Sequence, residues 1–250
     1  MSSIWRRSLP KLAGWSLLIA LWACTSSLWP SWPSPSAVAS RLWAYAQDAT
    51  FLTAFVGSLR RMAVGYALVV LLGIGGGLLL GRFRILDELV GSLAVALHAI
   101  PGAAWVPFAV LWFGMTEQAV IFTILLGATG IVVVQTDTGI RQVPPLILNA
   151  ARTMGAKGVN FFWYVVVPAA VPKMVDGLRL AWAFGWRALM AGELITSVHG
   201  MGEMLSRVAK TGQIDQLVAL MVVIAAVGII VDELVFKRLE ASVHRRWGIV

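Results

Sequence analysis

Over its 250 residues the chain carries twenty Lys or Arg, twelve Asp or Glu and three His, so the side chains able to do chemistry are few. Gly73, Gly75, Gly76 and Gly77 lie in an apolar run with no Lys after them. That excludes the Lys-ended glycine loop that cradles nucleotide phosphates. His98, His199 and His244 are far apart and none belongs to an H-E-x-x-H pattern, so no metal cluster is expected. Cys24 is the single cysteine, which leaves no intrachain disulfide and no Cys-based metal site. No Ser, His and Asp stand at a spacing that marks a nucleophile and its base. The expectation is a chain that is not an enzyme, with no catalytic residue, metal or cofactor of its own.

What remains are charges where charge is unfavourable. Arg187 and Glu193 lie deep in an apolar run, and a charge at mid-bilayer costs about 2.5–3.5 kcal/mol on insertion scales. Such groups face a wet path or a bundle interior. Arg187 is a candidate pathway charge that attracts an anion while Glu193 restrains overly tight binding. Equally, the two answer to other helices as structural ion pairs. His98 sits one turn before Pro101, where a broken membrane helix frees backbone groups that must face protein or a water-lined cavity. His98 lines that cavity or is hydrogen-bonded within the bundle; with Pro101, Arg187 and Glu193 it completes the translocation-path candidates.

A second feature is the segment Asn149–Pro172, which carries Arg152 and Lys157 between two apolar runs. Its opening, Asn149 to Gly158, is rich in small residues and favours a short helix with a basic face. Gly155 lets the chain turn sharply where a side chain would clash. The stiff run Trp163–Val167 is expected to stop at Pro168, with Pro168 and Pro172 setting the direction of re-entry into the membrane. The pattern is that of a docking element for a partner outside the membrane.

The elements that must position these residues follow from composition. Hydrophobic residues make up 59% of the chain and charged ones 13%, with a mean hydropathy of +0.82, against about 25% charged in soluble domains. This is an integral membrane protein, all-α, in a single transmembrane domain over residues 1–250. At roughly 20 apolar residues per crossing, six spans are expected near 12–29, 62–80, 89–113, 118–136, 174–197 and 217–235. The first is read as uncleaved, the third as interrupted at Pro101-Gly102 and Pro107, and an amphipathic surface helix is expected over 37–59. The net charge of +8 is a topology signal. With the N-terminus inside, Arg6, Arg7, Lys11, Arg82, Arg84, Arg141, Arg152, Lys157 and the tail Lys237, Arg238, Arg245 and Arg246 are cytoplasmic. Arg41, Arg60, Arg61, Arg207 and Lys210 alone fall outside. Both termini are then cytoplasmic, and so is Asn149–Pro172.

The spacing of that segment resembles a family. Binding-protein-dependent ABC importer permeases carry a cytoplasmic loop reading E-A-A, three residues, Gly, nine residues, Ile, one residue, Leu-Pro. Asn149-Ala150-Ala151, Gly155, Val165 and Val167-Pro168 fall at that spacing. Ser58-Leu59-Arg60-Arg61, Ile100-Pro101, Leu111-Trp112-Phe113-Gly114, Gly192-Glu193-Leu194 and Gly200-Met201-Gly202 resemble the branch importing nitrate, sulfonates, taurine or bicarbonate. The likeness runs over roughly residues 55 to 240.

The resemblance implies a type I ABC importer permease fold of six transmembrane helices with a cytoplasmic coupling-helix loop over 145–172. Asn149, Ala150, Ala151, Gly155, Ala156 and Pro168 would be the ATPase-coupling residues. Partners would be cytoplasmic ABC ATPase subunits, where ATP and Mg would bind and hydrolysis occur, a second permease copy forming a homodimer, and an external or periplasmic solute-binding protein. The location would be a bacterial inner membrane and the cargo a small anion. The same architecture could carry a neutral or cationic molecule such as a vitamin precursor. An ATP-independent secondary transporter would show an internal hydropathy repeat, and none is seen. Where the family has Glu, this chain has Asn149, so a matching change in the ATPase groove is expected.

Overall fold

Every regular element among the described residues is helical, as a chain that must satisfy its backbone polar groups away from water requires. The computed structural model describes residues 2–29 and 32–248. In order they form α1 (Ser2–Leu28), α2 (Pro35–Gln47), α3 (Ala49–Arg82), α4 (Arg84–Leu86), a π turn (Asp87–Gly91), α5 (Ser92–Ala99), a 3-10 turn (Gly102–Trp105) and α6 (Val106–Phe113). Then come α7 (Glu117–Arg141), α8 (Pro145–Thr153), α9 (Gly158–Phe161), a π turn (Phe162–Val166) and α10 (Val167–Thr196). The chain ends in α11 (Met201–Thr211), α12 (Ile214–Val231), a π turn (Asp232–Phe236) and α13 (Lys237–Arg246).

Four helical runs among the described residues are long and apolar enough to cross a membrane: Ala49–Arg82, Glu117–Arg141, Gly158–Thr196 and Ile214–Arg246. Ser16–Leu28 and Gly102–Phe113 are shorter apolar helices. The expected third span is thus a set of short pieces. Pro101 caps the 3-10 turn, and Pro107 stands in the first turn of α6, where its missing N–H breaks nothing. There is one interruption, not two. The surface helix expected over 37–59 is also redrawn. Asp48 accepts from the Thr50 N–H at 2.8 Å and so starts α3 thirteen residues before Met62, because an aspartate in that position caps a new helix.

Glycines set the centre of the bundle. Gly65, Gly73, Gly77 and Gly81 face α7 so closely that an added Cβ would lie 2.9, 2.5, 2.4 and 2.5 Å from Ile124, Val132, Thr136 and Ile140 respectively. The four-residue spacing of the last three keeps them on one stripe, and small residues let membrane helices approach to backbone distance. α10 closes the triad by the same device, with Gly177 on Gln135 and Gly185 on Met62 and Ile124. Met62, Val69, Val120, Ile124, Trp182 and Leu189 fill the space between them. A second cluster, with Tyr45, Phe51, Met204 and Leu220, joins α2, α11 and α12 at one end. A third, built from Ile140, Val143, Phe162, Val166, Ala170 and Met174, lies at the other.

Candidate coupling and translocation site

At the end of the bundle where α7 stops, α8 begins with Pro145 in its first turn and ends in a glycine motif. The Gly155 N–H donates to the Arg152 carbonyl and the Ala156 N–H to the Ala151 carbonyl, each at 3.0 Å. With Gly155 at φ +89°, this is a Schellman stop. The reason for glycine differs from the expected one: a Cβ there would meet open space, and it is the left-handed backbone that other residues resist. No residue of α8 is buried; Leu146 and Met154 are 80% and 87% exposed. Asn149 and Ala150 are exposed, Ala151 and Ala156 half-buried. The Asn149 side chain has no hydrogen-bond partner among the described residues.

Leu148 packs on the third cluster, which joins the end of α7, the π turn Phe162–Val166 and the start of α10. Arg152 lies over the Phe161 ring at 5.3 Å, and Arg82 of α3 over Phe162 at 5.6 Å. The packing under α8 thus joins α3, α7 and α10. Pro168 does not end the helix as expected. The helical run is continuous from Gly158 to Thr196, because the π turn shifts the bonding pattern just before Pro168, which then sits in the first turn of α10.

Of the path candidates, Arg187 is exposed on α10. Its Nε donates to the Ala183 carbonyl at 3.0 Å and its guanidinium lies 5.0 Å from the Phe184 ring centre. No carboxylate answers it among the described residues. It borders a groove of about 450 Å³ between α10 and α12, with Trp182, Trp186, Met190, Met221 and Gly228 among the walls. Pro101 is brought to the same level: the next residue, Gly102, lies against Gly127 and Ala188, with Ala188 Cβ 3.2 Å from where a Gly102 Cβ would be. The side chain of His98 lies outside the described ones.

Glu193 is elsewhere, at the far end of α10 and fully enclosed. It accepts from Arg61 Nε at 3.0 Å and Nη2 at 2.7 Å, from Ser58 Oγ at 2.8 Å and from the Gly202 N–H at 2.9 Å. Arg61, 2% exposed, also donates to the His199 carbonyl at 2.6 Å and to Glu117 at 3.0 Å. Ser58 accepts from the Met201 N–H at 2.9 Å. Gly200 passes so near that a Cβ would sit 2.5 Å from both Arg61 and Glu193. This node ties α3, α7 and α10 to the turn that starts α11. Sequence reasoning placed Arg61 among exposed topology charges; its signal was that Ser58 and Arg61 share a helix face with Ala54, Met62 and Gly65. Outside the spans at that end, Glu203 holds the Arg207 guanidinium above its ordinary range through a hydrogen bond, and burial pushes the Tyr45 phenol up.

A possible cation cluster was not foreseen. Asp176, Glu240 and His244 each place a ligand atom within 4.8 Å of the others. Arg179 Nη1 donates to Glu240 at 2.6 Å, and that fixed positive charge suits an ion-pair ladder better than a metal.

Comparison with known proteins matches residues 70–246 to the family described as binding-protein-dependent transport system inner membrane component. The bicarbonate transport system permease protein CmpB of Synechococcus elongatus is 32% identical over 72% of this chain and 65% of its own length. The nitrate import permease protein NrtB of Leptolyngbya laminosa is 26% identical over 92% of this chain and 86% of its own. The chain thus spans just under two thirds of CmpB. Among solved structures, a chain of the MetNI methionine ABC transporter superposes with a TM-score of 0.64 at 17% identity, covering 78% of this chain and 96% of that one. The all-α type I importer fold expected from the resemblance is the fold observed.

Proposed function

Since the chain belongs to the family of binding-protein-dependent inner membrane transport components, we propose that it is the permease subunit of an ATP-driven importer, coupled to its ATPase through α8. The observation that carries the reading is α8 itself: a short helix stopped by a Schellman turn, without a buried residue, seated on a cluster that joins α7 to α10. Packed elements move as levers when such a helix is displaced. Asn149, Ala150, Ala151, Gly155 and Ala156 form or end this lever, and Pro168 lies where its motion enters α10. In this reading α8 and both termini are cytoplasmic, which the basic residues around them support. The full assembly has six spans per chain, a second copy of it, two ATPase subunits that hold ATP and Mg, and an external binding protein.

The solute is a small anion. Two relatives are named for bicarbonate and nitrate, and Arg187 is a cation without a carboxylate, level with the broken helix at Pro101. A guanidinium there attracts an anion from a low-dielectric groove. Glu193, answered by Arg61, holds the outer end of the path together. A neutral or cationic cargo is not favoured by these relatives.

The test is a pull-down of the tagged chain from native membranes in mild detergent, with mass spectrometry. A P-loop ATPase should co-purify and be lost with Gly155→Val. A clean homo-oligomer without an ATPase, even after crosslinking, would overturn the reading.

A further inference from the structure

Pro172 lies inside α10 and has no N–H, so the Pro168 carbonyl lacks the donor that position i+4 would supply. The indole Nε1 of Trp247, beyond the end of α13, donates to that carbonyl at 2.9 Å. This contact is one rung of a ladder. His244 Nε2 stands 3.5 Å from Asp176 Oδ1, Arg179 Nη1 donates to Glu240 at 2.6 Å, and Arg179 Nε and Nη2 donate to Asp232 at 2.7 and 2.9 Å. On α10 the rungs fall at Pro168, Asp176 and Arg179, spread over about 80° of the helix; on the other side they fall at Glu240 and His244 of α13 and at Trp247 just past its end, spaced four and three.

The ladder needs the π turn that precedes α13. In an α-helix Asp232 and Glu240, eight residues apart, would point roughly 80° away from each other. The Lys237 N–H bonds instead to the Asp232 carbonyl, five residues back. That extra residue brings the two carboxylates to the alignment of a seven-residue step, about 20° apart, and a single guanidinium can then hold both. Inside the membrane region the same two helices touch differently. Trp186 Nε1 and Trp182 Nε1 donate to the Ile224 and Gly228 carbonyls at 3.1 and 3.4 Å, against an otherwise apolar groove wall. Those contacts carry no charge, whereas Arg179 adds charged pairs to Asp232 and Glu240 at the α13 end.

The geometry points to α13 as a strap that makes the entry of α10 and the α12–α13 rod one lever, with Trp247, His244 and Glu240 as positioning residues. It rests on the coupling role of α8. Motion entering at Pro168 then shifts α12, the wall facing Arg187, and not α10 alone.

The experiment uses the full complex with Cys24→Ser and Ile229→Cys, since Ile229 lies on that wall and is 55% exposed. The rate of labelling by a water-soluble maleimide is compared with and without ATP and vanadate. With the strap intact, nucleotide should change the rate. Trp247→Phe removes the rung, and Pro172→Ala added to it returns an N–H to the Pro168 carbonyl, so helix stability is restored while the strap stays detached. The nucleotide response in the double variant should fall roughly fivefold, the factor one hydrogen bond commands, with ATPase co-purification unchanged. A response that Pro172→Ala restores would make Trp247 a mere cap for an orphan carbonyl and overturn the strap. So would a wall insensitive to nucleotide while ATPase is bound. Absence of any ATPase would remove the coupling reading and the strap with it.

Discussion

Consider replacing Arg61 by Met in the otherwise intact chain. Glu193 would keep two of its four hydrogen bonds, from Ser58 Oγ and the Gly202 N–H, and neither donor carries charge. A fully enclosed carboxylate without its counter-charge destabilises by about 3–5 kcal/mol. The reciprocal change, Glu193→Gln, is milder. Arg61 still meets Glu117 at 3.0 Å and the His199 carbonyl at 2.6 Å, and the Gln oxygen still accepts the two bonds of the carboxylate oxygen it replaces. The loss is then about 1.5–3 kcal/mol, that of a hydrogen bond to a charged group. In the double variant no unanswered charge exists, so its deficit should approach that of Glu193→Gln alone. The coupling energy is then the Arg61→Met loss itself, about 3–5 kcal/mol, well above the ~0.5 kcal/mol scatter of independent sites. Unfolding in mixed micelles with increasing dodecyl sulfate measures all four corners of the cycle. Additive single-variant losses would refute the claim that the two residues answer each other, and an Arg61→Met loss no larger than that of Glu193→Gln would refute the assigned asymmetry.

Other expectations follow from single contacts. Gly200→Ala puts a methyl 2.5 Å from both members of that pair, with extended backbone at φ −177°, so the harm is steric; folded yield after heating should fall as steeply as for Arg61→Met. Gly73→Ala presses on Val132 at 2.5 Å and should lower stability by about 1–3 kcal/mol, whereas Gly75→Ala, facing nothing within 4 Å, should not. Arg187→Gln should weaken anion uptake by the reconstituted complex; unchanged affinity and rate in a folded complex would remove Arg187 from the path. Asn149→Glu should not raise coupled transport unless the ATPase groove is changed to match, and a sharp gain without that change would sink the matched-groove idea.

The parts of this protein legible in its sequence were those fixed by local composition. Long apolar runs announce spans, and the positions of Ala150, Ala151 and Gly155 announced α8, because helix stops depend on a few adjacent residues. What stayed hidden was pairing at a distance. Ser58, Arg61, Glu193 and Gly202 are separated by up to 144 positions, and an arginine near a helix end reads the same whether it meets water or a buried glutamate. The prolines misled for a related reason. Pro168 and Pro172 suggest a break when taken alone, yet a π turn before one and an indole from Trp247 beneath the other let the helix continue.

Charge placement along α10 separates charges paired within the chain from one that has no carboxylate partner among the described residues. Arg179 near its start is answered by α13 and the adjoining π turn, and Glu193 near its end by α3. Both ends of the helix are therefore locked by ion pairs within one chain. Arg187 lies between them, eight residues past Arg179 and six before Glu193, with no such partner among the described residues. A charge at mid-bilayer costs about 2.5–3.5 kcal/mol, so in the reading proposed above Arg187 would be compensated by water, a second copy or a passing anion. A structural role needs a fixed partner, and this chain supplies one at each of the other positions. The unanswered charge on a helix braced at both ends is where a mobile ligand has the most to offer.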